Sequence, residues 1–283
     1  MPVIAVVNRK GGSGKSTLSA HLAAWCAHQG HSVMLGDVDR QQSSRTWLKR
    51  RSPDLPQIAP WAMDQKNVLR VPTGITHVVL DTPGGIHGFE LARVVMFADA
   101  IIMPVCHSVF DRESAAACHA ELMALPRVAG GRCKLATVGM RIDGRTRAGE
   151  VLREWSAGLG LPFLGVLRET QTYVRNLEKG LTMFDVPPAS VPLDMAQWEP
   201  IIEWMRPLLD APAAANDPAP RRAPVSRLGA SRPNSLMPAQ DALIHGARLS
   251  VLSRTGAPVR PQPVAALPRG VIEGGQIPRF LKS

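Results

Sequence analysis

Short apolar runs alternate with longer stretches of helical periodicity through the first 210 residues of the chain. Runs such as VIAVVN predict β-strands, and stretches such as KSTLSAHLAAWCAHQG predict helices. The predicted strands are 3–8, 32–39, 76–84, 98–105, 134–141 and 162–167. The predicted helices are 15–30, 88–97, 111–125, 146–158 and 196–209. Because near-continuous apolar strands alternate with helices, the pattern predicts a doubly wound α/β fold, whose mostly parallel sheet is covered by helices on both faces.

Basic residues and prolines are concentrated in the last quarter of the chain. The net charge is +10 over 283 residues. Residues 211–283 hold ten Lys and Arg against three Asp and Glu, together with 11 of the 25 prolines. This composition is typical of segments that bury too little apolar surface to fold. We therefore expect an ordered domain over 1–210 and a basic, proline-rich, mostly disordered tail over 211–283.

The cysteines and the hydropathy of the chain exclude several classes of protein. The four cysteines form no C-x-x-C pair and no His/Cys cluster at metal-binding spacing, so neither a disulfide scaffold nor a zinc site is indicated. No apolar run approaches about 18 residues, the length at which a membrane-spanning helix becomes plausible. The first residues lack the basic region and the cleavage site of a signal peptide. We expect a soluble, cytoplasmic protein with reduced thiols.

A glycine-rich loop, NRKGGSGKST at 8–17, lies between the first predicted strand and the first predicted helix. This is the position of a phosphate-binding loop, whose backbone N–H groups and helix N-terminus bind a polyphosphate. Lys15 is placed to reach the β- and γ-phosphates, and the Ser16 hydroxyl to bind Mg²⁺. Arg9 stands where the standard motif begins with glycine, and Lys10 is a second lysine that the motif does not require. The loop is therefore a variant.

Three aspartates follow other predicted strands. Asp37 and Asp39 end the second strand, and we expect them to point to opposite faces. Asp81 ends the third strand. Because ligands of doubly wound sheets bind beyond the carboxyl ends of the strands, we expect these carboxylates near the glycine loop.

Three motifs, in order, resemble the ParA/MinD family of deviant Walker A ATPases. They are KGGSGKST in the loop, GDVDRQQSS after the second strand and VVLDTPG after the third. The resemblance covers nearly all of residues 1–210 and is strongest to the short, ParF-like partition ATPases. It implies ATP hydrolysis with ATP and Mg²⁺ as ligands. The nucleotide-binding residues that it implies are Gly11, Gly12, Ser13, Gly14, Lys15, Ser16, Thr17 and Met140.

The resemblance also implies roles for the charged residues. Lys10 is expected to reach the phosphates held by the other subunit of an ATP-dependent homodimer. Asp39 is expected to orient the attacking water, and Lys10, Lys15 and Asp39 form the implied catalytic set. Ser16, Asp37 and Asp81 are expected to hold Mg²⁺. Two positions depart from the family: Arg40 replaces a usual proline, and Met140 replaces an asparagine that contacts adenine in many relatives.

Two functions within the family stay open. The first is a partition or cargo-positioning ATPase on the nucleoid, whose ATP-bound dimer binds DNA without sequence preference and is released when a ParB-like or other adaptor stimulates hydrolysis. Arg168, Arg175 and Lys179 are its predicted DNA contacts. The second is a MinD-like membrane-cycling ATPase that positions a cell-division or polar complex, which needs a terminal amphipathic helix. The stripe at 241–254 is weak and Pro278 interrupts the chain end, so DNA is favoured over membrane.

Overall fold

The computed structural model describes residues 1–39, 41–62 and 71–209. Seven strands form one sheet. They are β1 (Val3–Val6), β2 (Val33–Asp37), β3 (Ile58–Ala62), β4 (His77–Asp81), β5 (Ala100–Val105), β6 (Lys134–Ile142) and β7 (Phe163–Arg168). Every pair of neighbouring strands is parallel, in the order β3-β2-β4-β1-β5-β6-β7. The predicted doubly wound fold is confirmed.

Among the described residues, helices follow every strand except β3, and two helices follow the last strand. They are α1 (Lys15–His28), α2 (Ser43–Leu48), α3 (Gly88–Phe97), α4 (Val109–Met123), α5 (Pro126–Ala129), α6 (Ala148–Gly158), α7 (Gln171–Glu178) and α8 (Pro192–Leu209). Two 3₁₀ turns, Met183–Asp185 and Pro188–Ser190, lie between α7 and α8. Within the described ranges, no helix has the length and hydropathy needed to cross a membrane.

The central strand β1 separates two hydrophobic clusters. Ile4 and Val6 contribute to a cluster on one face of the sheet, which includes Leu18 of α1 and Trp198 of α8. Val3, Ala5 and Val7 contribute to a second cluster with residues of α3 and α4. Since successive side chains of a strand point to opposite faces, a fully apolar strand supplies both cores. This burial fixes the loop that follows β1 at the middle of the sheet.

Four strands or α-helices were not anticipated from the apolar pattern. The strand β3 contains Pro60, a residue that is uncommon within strands, and lies at the edge of the sheet, where a missing backbone donor is tolerated. The helices α2, α5 and α7 are only six, four and eight residues long. Short helices carry too few turns to establish a clear periodicity.

One prediction about the second strand was wrong. The strand β2 ends at Asp37, and Asp39 lies two residues beyond it in a bend. Asp39 is therefore not a strand residue. Alternation would in any case not place Asp37 and Asp39 on opposite faces, because residues two positions apart on a strand share a face. Arg40 and the predicted tail, 211–283, lie outside the described residues, and the boundary between domain and tail stays a prediction.

Candidate nucleotide site

The glycine loop turns sharply between β1 and α1. Gly12 and Gly14 have φ angles of 75° and 89°, values that residues with a Cβ rarely adopt. The helix α1 begins at Lys15, directly after Gly14. Its first N–H groups therefore face the loop, and a helix N-terminus of this kind is suited to binding phosphate.

Lys15 lies across the loop. Its Nζ donates a hydrogen bond to the carbonyl of Lys10 at 3.0 Å, and the residue is only 7% exposed. Burial lowers the pKa of the Lys15 ammonium, while Asp81 and Asp39 raise it. An anionic ligand beside Lys15 would stabilise the charged ammonium, because a nearby negative charge opposes the effect of burial.

Neighbouring strands hold the loop from both sides. Asn8 donates from Nδ2 to the carbonyl of Pro104 on β5 at 2.6 Å, and its Oδ1 accepts from the Lys10 N–H at 3.0 Å. On the other side, the Gly85 N–H donates to the Arg9 carbonyl at 2.6 Å. The loop is thus fixed in position by hydrogen bonds that do not involve a ligand.

Asp81 is the most deeply buried carboxylate of the site, with no exposed surface. Its oxygens accept hydrogen bonds from Ser44 of α2 and from Ser19 of α1, the latter at 3.4 Å. Burial raises the pKa of the Asp81 carboxyl to about 6, and the hydrogen bonds from Ser44 and Ser16 oppose that rise. No lysine or arginine makes a direct ion pair with Asp81 among the described residues.

Asp37 and Asp39 have different surroundings. Asp37 is 2% exposed, and its two oxygens accept from the backbone N–H groups of Asp39 and Arg45 at 3.0 and 3.1 Å. Asp39 is partly exposed, and its Oδ1 accepts from the Gln41 N–H at 2.9 Å. Asp37 therefore stabilises the turn that leads into α2. Part of the Asp39 carboxylate remains exposed, so it can contact a ligand or water.

Residues of the glycine loop, of α1 and of the turn after β2 border one cavity of about 540 Å³. Its lining comprises Gly11, Gly12, Gly14, Lys15, Ser16, Thr17, Asp39, Gln41, Ser43, Thr82, Gly84 and Arg141. A volume of this size suits a small-molecule ligand. The structure thus brings Lys15, Ser16 and Asp39 to one cavity, with Asp81 within hydrogen-bonding distance of Ser16 beneath it.

The donor set fits a magnesium ion. Mg²⁺ prefers oxygen ligands and usually keeps several waters, so one or two carboxylates and a hydroxyl suffice. Ser16 and the buried Asp81 are hard oxygen donors, and Asp81 has no cationic side chain bound directly to it. In addition, the Ser13 hydroxyl in the loop is buried and has no hydrogen-bond partner within the described residues. The Ser13 hydroxyl is therefore free to form a hydrogen bond with a ligand.

Sequence similarity to known proteins extends beyond this site along most of the chain. The family model for the CobQ/CobB/MinD/ParA nucleotide binding domain matches residues 4–183, more than half of the chain. The chain belongs to this family. The resemblance inferred from the three motifs is confirmed, and all the residues of the CobQ/CobB/MinD/ParA site described above lie within the matched range.

Relatives in this family include proteins named for cargo distribution and for partition. Maintenance of carboxysome distribution protein A of Gloeobacter kilaueensis is 37% identical over 114 residues, 38% of this chain and 51% of that protein. The protein of the same name from Halothiobacillus neapolitanus is 24% identical over 189 residues, 65% of this chain and 87% of that protein. Protein ParA of Rhizobium radiobacter is 28% identical over 116 residues, 39% of this chain and 51% of that protein. The chain spans about half the length of the first and the third.

Solved structures share the fold of the CobQ/CobB/MinD/ParA domain. A McdA variant of Cyanothece in complex with ATP superposes with a TM-score of 0.58 at 14% identity, covering 74% of this chain and 96% of that one. The MinC:MinD cell division protein complex of Aquifex aeolicus gives a TM-score of 0.56 at 19% identity, covering 73% and 96%. At these identities the likeness concerns the fold.

The remaining predicted residues lie at the margins of the site. The Lys10 side chain is exposed. Met140 is 4% exposed and packs against the loop, since a Cβ added to Gly14 would lie 2.6 Å from its Cε. Met140 therefore presents an apolar surface beside Gly14, but it is not among the residues that line the cavity, and its contact with a nucleotide stays a prediction.

The three predicted DNA contacts lie in two settings. Arg175 on α7 and Lys179 at its end are exposed, and no ion pair involves either within the described ranges. Arg168 donates from Nε and Nη2 to the fully buried Asp194 at 2.8 and 2.9 Å. The pair joins β7 to α8. Arg168 therefore has a structural role, which the sequence did not indicate.

Sequence reasoning did not assign several residues to the site. They are Asn8, Ser44 and the lining residues Gln41, Ser43, Thr82, Gly84 and Arg141. Asn8 and Ser44 are small polar residues whose partners lie on other strands, so local sequence carries no signal for them. Arg141 is different, because a charged residue at the carboxyl end of an apolar strand is a recognisable candidate in a doubly wound sheet.

Proposed function

We propose that this protein is an ATPase that dimerises on ATP, binds DNA without sequence preference, and releases it when an adaptor protein stimulates hydrolysis. It would thereby segregate plasmid or chromosomal DNA or position a protein cargo. One observation carries the proposal: Lys15, Ser16 and Asp39 line one cavity at the end of β1, while the Lys10 side chain beside it is exposed.

The phosphates would be held by the loop and by α1. The N–H groups at the start of α1 donate to the phosphate oxygens, and Lys15 neutralises the terminal phosphates. Ser16 and Asp81 would hold Mg²⁺, which when bound would supply positive charge beside the transferred phosphoryl group. Burial places the Lys15 ammonium where the effective dielectric constant is low. Its interaction with a phosphate would therefore be stronger than that of an exposed lysine.

Hydrolysis depends on positioning of a water molecule. Phosphoryl transfer has a loose transition state, so a carboxylate acts mainly by orienting the attacking water. Asp39 suits this role because it lines the cavity and is partly exposed, whereas both oxygens of Asp37 are held by backbone N–H groups. With little other chemistry supplied, turnover of the unstimulated protein is expected to be slow.

Lys10 connects hydrolysis to dimerisation. Its N–H donates to Asn8, but its side chain is exposed and forms no hydrogen bond or ion pair with the described residues. A second copy facing this edge would receive the Lys10 ammonium near its own phosphates, as an arginine finger supplied in trans would. Full activity would then require two chains.

Exposed basic residues support DNA as the partner. Arg175 and Lys179 are four positions apart, and residues at this spacing lie on one face of a helix. Non-specific DNA binding arises mainly from phosphate electrostatics, which needs clustered cations and no base-reading pattern. The basic residues in 211–283 add positive charge to the same chain.

The full-length protein and its Lys15→Ala variant test this proposal. We expect the wild type to hydrolyse ATP with Mg²⁺ and to bind unrelated DNA duplexes equally, and only when ATP is present. Lys15→Ala should lose both properties. Parallel sedimentation with anionic liposomes checks the membrane alternative. ATP-dependent lipid binding that survives high salt, with weak DNA binding, would replace the DNA proposal by a MinD-like membrane cycle.

A further inference from the structure

Arg141 has an unusual backbone conformation near the end of β6. Its φ angle is 57°, in the left-handed region that residues other than glycine rarely occupy. The register between β6 and β7 shifts at this point, since Met140 pairs with Leu167 and Ile142 with Arg168. An irregularity of this kind at the rim of a site redirects a side chain, and backbone strain is retained where the surrounding structure or function requires it.

Arg141 is one of the residues that border the nucleotide cavity. Arg141 contributes to the same lining as Gly12, Lys15 and Thr17. Its guanidinium donates to Glu169 at 3.1 Å, and both side chains of this pair are 59% exposed. An exposed ion pair contributes little to stability, so the guanidinium can leave Glu169 for a ligand at small cost.

The order of strands indicates which end of the nucleotide Arg141 meets. The carboxylates Asp37 and Asp81 end β2 and β4, which lie to one side of β1 and its loop. Arg141 lies on β6, two strands from β1 on the opposite side. With the terminal phosphates and Mg²⁺ at Lys15, Ser16 and Asp81, the base and ribose extend toward β6.

We propose that the Arg141 guanidinium binds the base end of the nucleotide, stacking its plane on the purine ring. This inference rests on the nucleotide binding proposed above. Arginine is suited to the task because its planar cation stacks on aromatic faces. Met140 supplies the apolar contact beside Gly14 but has no strong hydrogen-bonding group. Arg141, which is paired with Glu169 in the unliganded protein, therefore supplies a planar cationic contact at this end of the cavity.

Titration calorimetry of full-length protein with Mg²⁺ tests the assignment with two probes. ATP contains phosphates, ribose and base, whereas inorganic tripolyphosphate contains only the phosphates. We expect Arg141→Ala to weaken ATP binding by about 3- to 30-fold and to change tripolyphosphate binding by less than about 2-fold, the spread of repeated measurements. Arg141→Lys, which keeps the charge but lacks the plane, should also lose ATP affinity. Arg147→Ala, which removes an exposed arginine of another ion pair, should bind both probes as the wild type does.

Arg141→Gly separates the side chain from the backbone. Glycine adopts a φ of 57° without strain, so this variant should melt no lower than the wild type and still lose the same ATP affinity. Equal losses for ATP and tripolyphosphate would show a phosphate contact and overturn the inference, as would unchanged ATP binding in Arg141→Ala. A wild type that binds neither probe would instead overturn the proposed nucleotide binding itself, and this inference with it.

Discussion

The Ser44 hydroxyl on α2 donates a hydrogen bond to the Asp81 carboxylate at the end of β4, and both residues are at most 2% exposed. A helix that follows one strand is thus joined to the acidic group of the neighbouring strand. Because Asp81 has no direct cationic partner among the described residues, the serines around it are what stabilise its charge. We infer that a buried carboxylate with only neutral donors around it lowers the stability of the unliganded protein and is suited to binding a cation such as Mg²⁺.

Asp81→Asn should stabilise the protein at high pH when Mg²⁺ and nucleotide are absent. Burial raises the pKa of Asp81 to about 6 in the folded state, against about 4 in an unfolded chain. The folded wild type therefore binds a proton between pH 6 and 4 and gains stability as the pH falls through that range. At pH 8 the variant should be more stable by up to about 3 kcal/mol, and the difference should vanish near pH 4.

Urea unfolding of both proteins in EDTA at pH 8, 6 and 4 measures this difference. His21, whose pKa burial lowers to about 4, titrates in both proteins and cancels from the comparison. A stability difference that stays constant across the three pH values would contradict the predicted titration of Asp81.

The Arg51–Asp185 ion pair should contribute far more to stability than an exposed pair. Arg51 donates from Nη1 and Nη2 to both oxygens of Asp185 at 2.8 Å, and the two side chains are 4% and 0% exposed. Arg51→Ala leaves the buried Asp185 carboxylate with Thr182 and His28 alone, so the free energy of unfolding should fall by about 3 kcal/mol.

The matched control for this pair is Arg145→Ala. Arg145 also forms a short ion pair, with Asp143, but its side chain is 90% exposed. Solvent screens such a pair, and we expect no measurable change in the urea midpoint. Similar losses for the two arginine variants would show that burial does not determine the contribution of these pairs.

The sequence was sufficient for the features that local patterns encode. The sheet followed from uninterrupted apolar strands, and the phosphate loop from glycines placed between a strand and a helix. It was insufficient where a role depends on a distant partner. The resemblance to short partition ATPases predicts Arg168 as a DNA contact together with Arg175 and Lys179, yet the Arg168 guanidinium binds Asp194, 26 positions away. The strand β3 was obscured by Pro60, because an edge position is a property of the whole sheet.

Lys10→Ala should separate nucleotide binding from dimer activity. The lysine side chain is exposed and makes no contact that its own loop needs, so monomeric nucleotide binding should stay within about 2-fold of wild type. Light scattering with ATP and Mg²⁺ should detect a dimer for the wild type and a weaker or inactive one for the variant. Lys49→Ala, at another exposed lysine, is the control. A wild type that stays monomeric under every nucleotide condition would contradict the role in trans.

Asp39→Ala should bind ATP and dimerise but hydrolyse ATP at least about 10-fold more slowly, since the water loses its orienting group. The fold should be unaffected, because the Asp39 side chain accepts one hydrogen bond from the Gln41 N–H at a partly exposed turn. Steady-state phosphate release measures the effect, with Asp54→Ala, at an exposed residue, as control. Turnover near the wild-type rate would assign the catalytic role to another residue.

Arg175→Ala/Lys179→Ala should weaken DNA binding uniformly across unrelated duplexes and flatten its salt dependence. Each lost phosphate contact is expected to reduce the slope of log affinity against log salt by about 0.9. The double variant should hydrolyse ATP normally without DNA, since neither residue lines the nucleotide cavity.

The control is Arg145→Ala/Arg147→Ala, two exposed arginines that are each paired with a carboxylate. Arg168→Ala is unsuitable because it leaves Asp194 buried without its partner, and a loss of binding would then report unfolding. An unchanged salt slope in the Arg175/Lys179 variant would exclude α7 as the DNA contact.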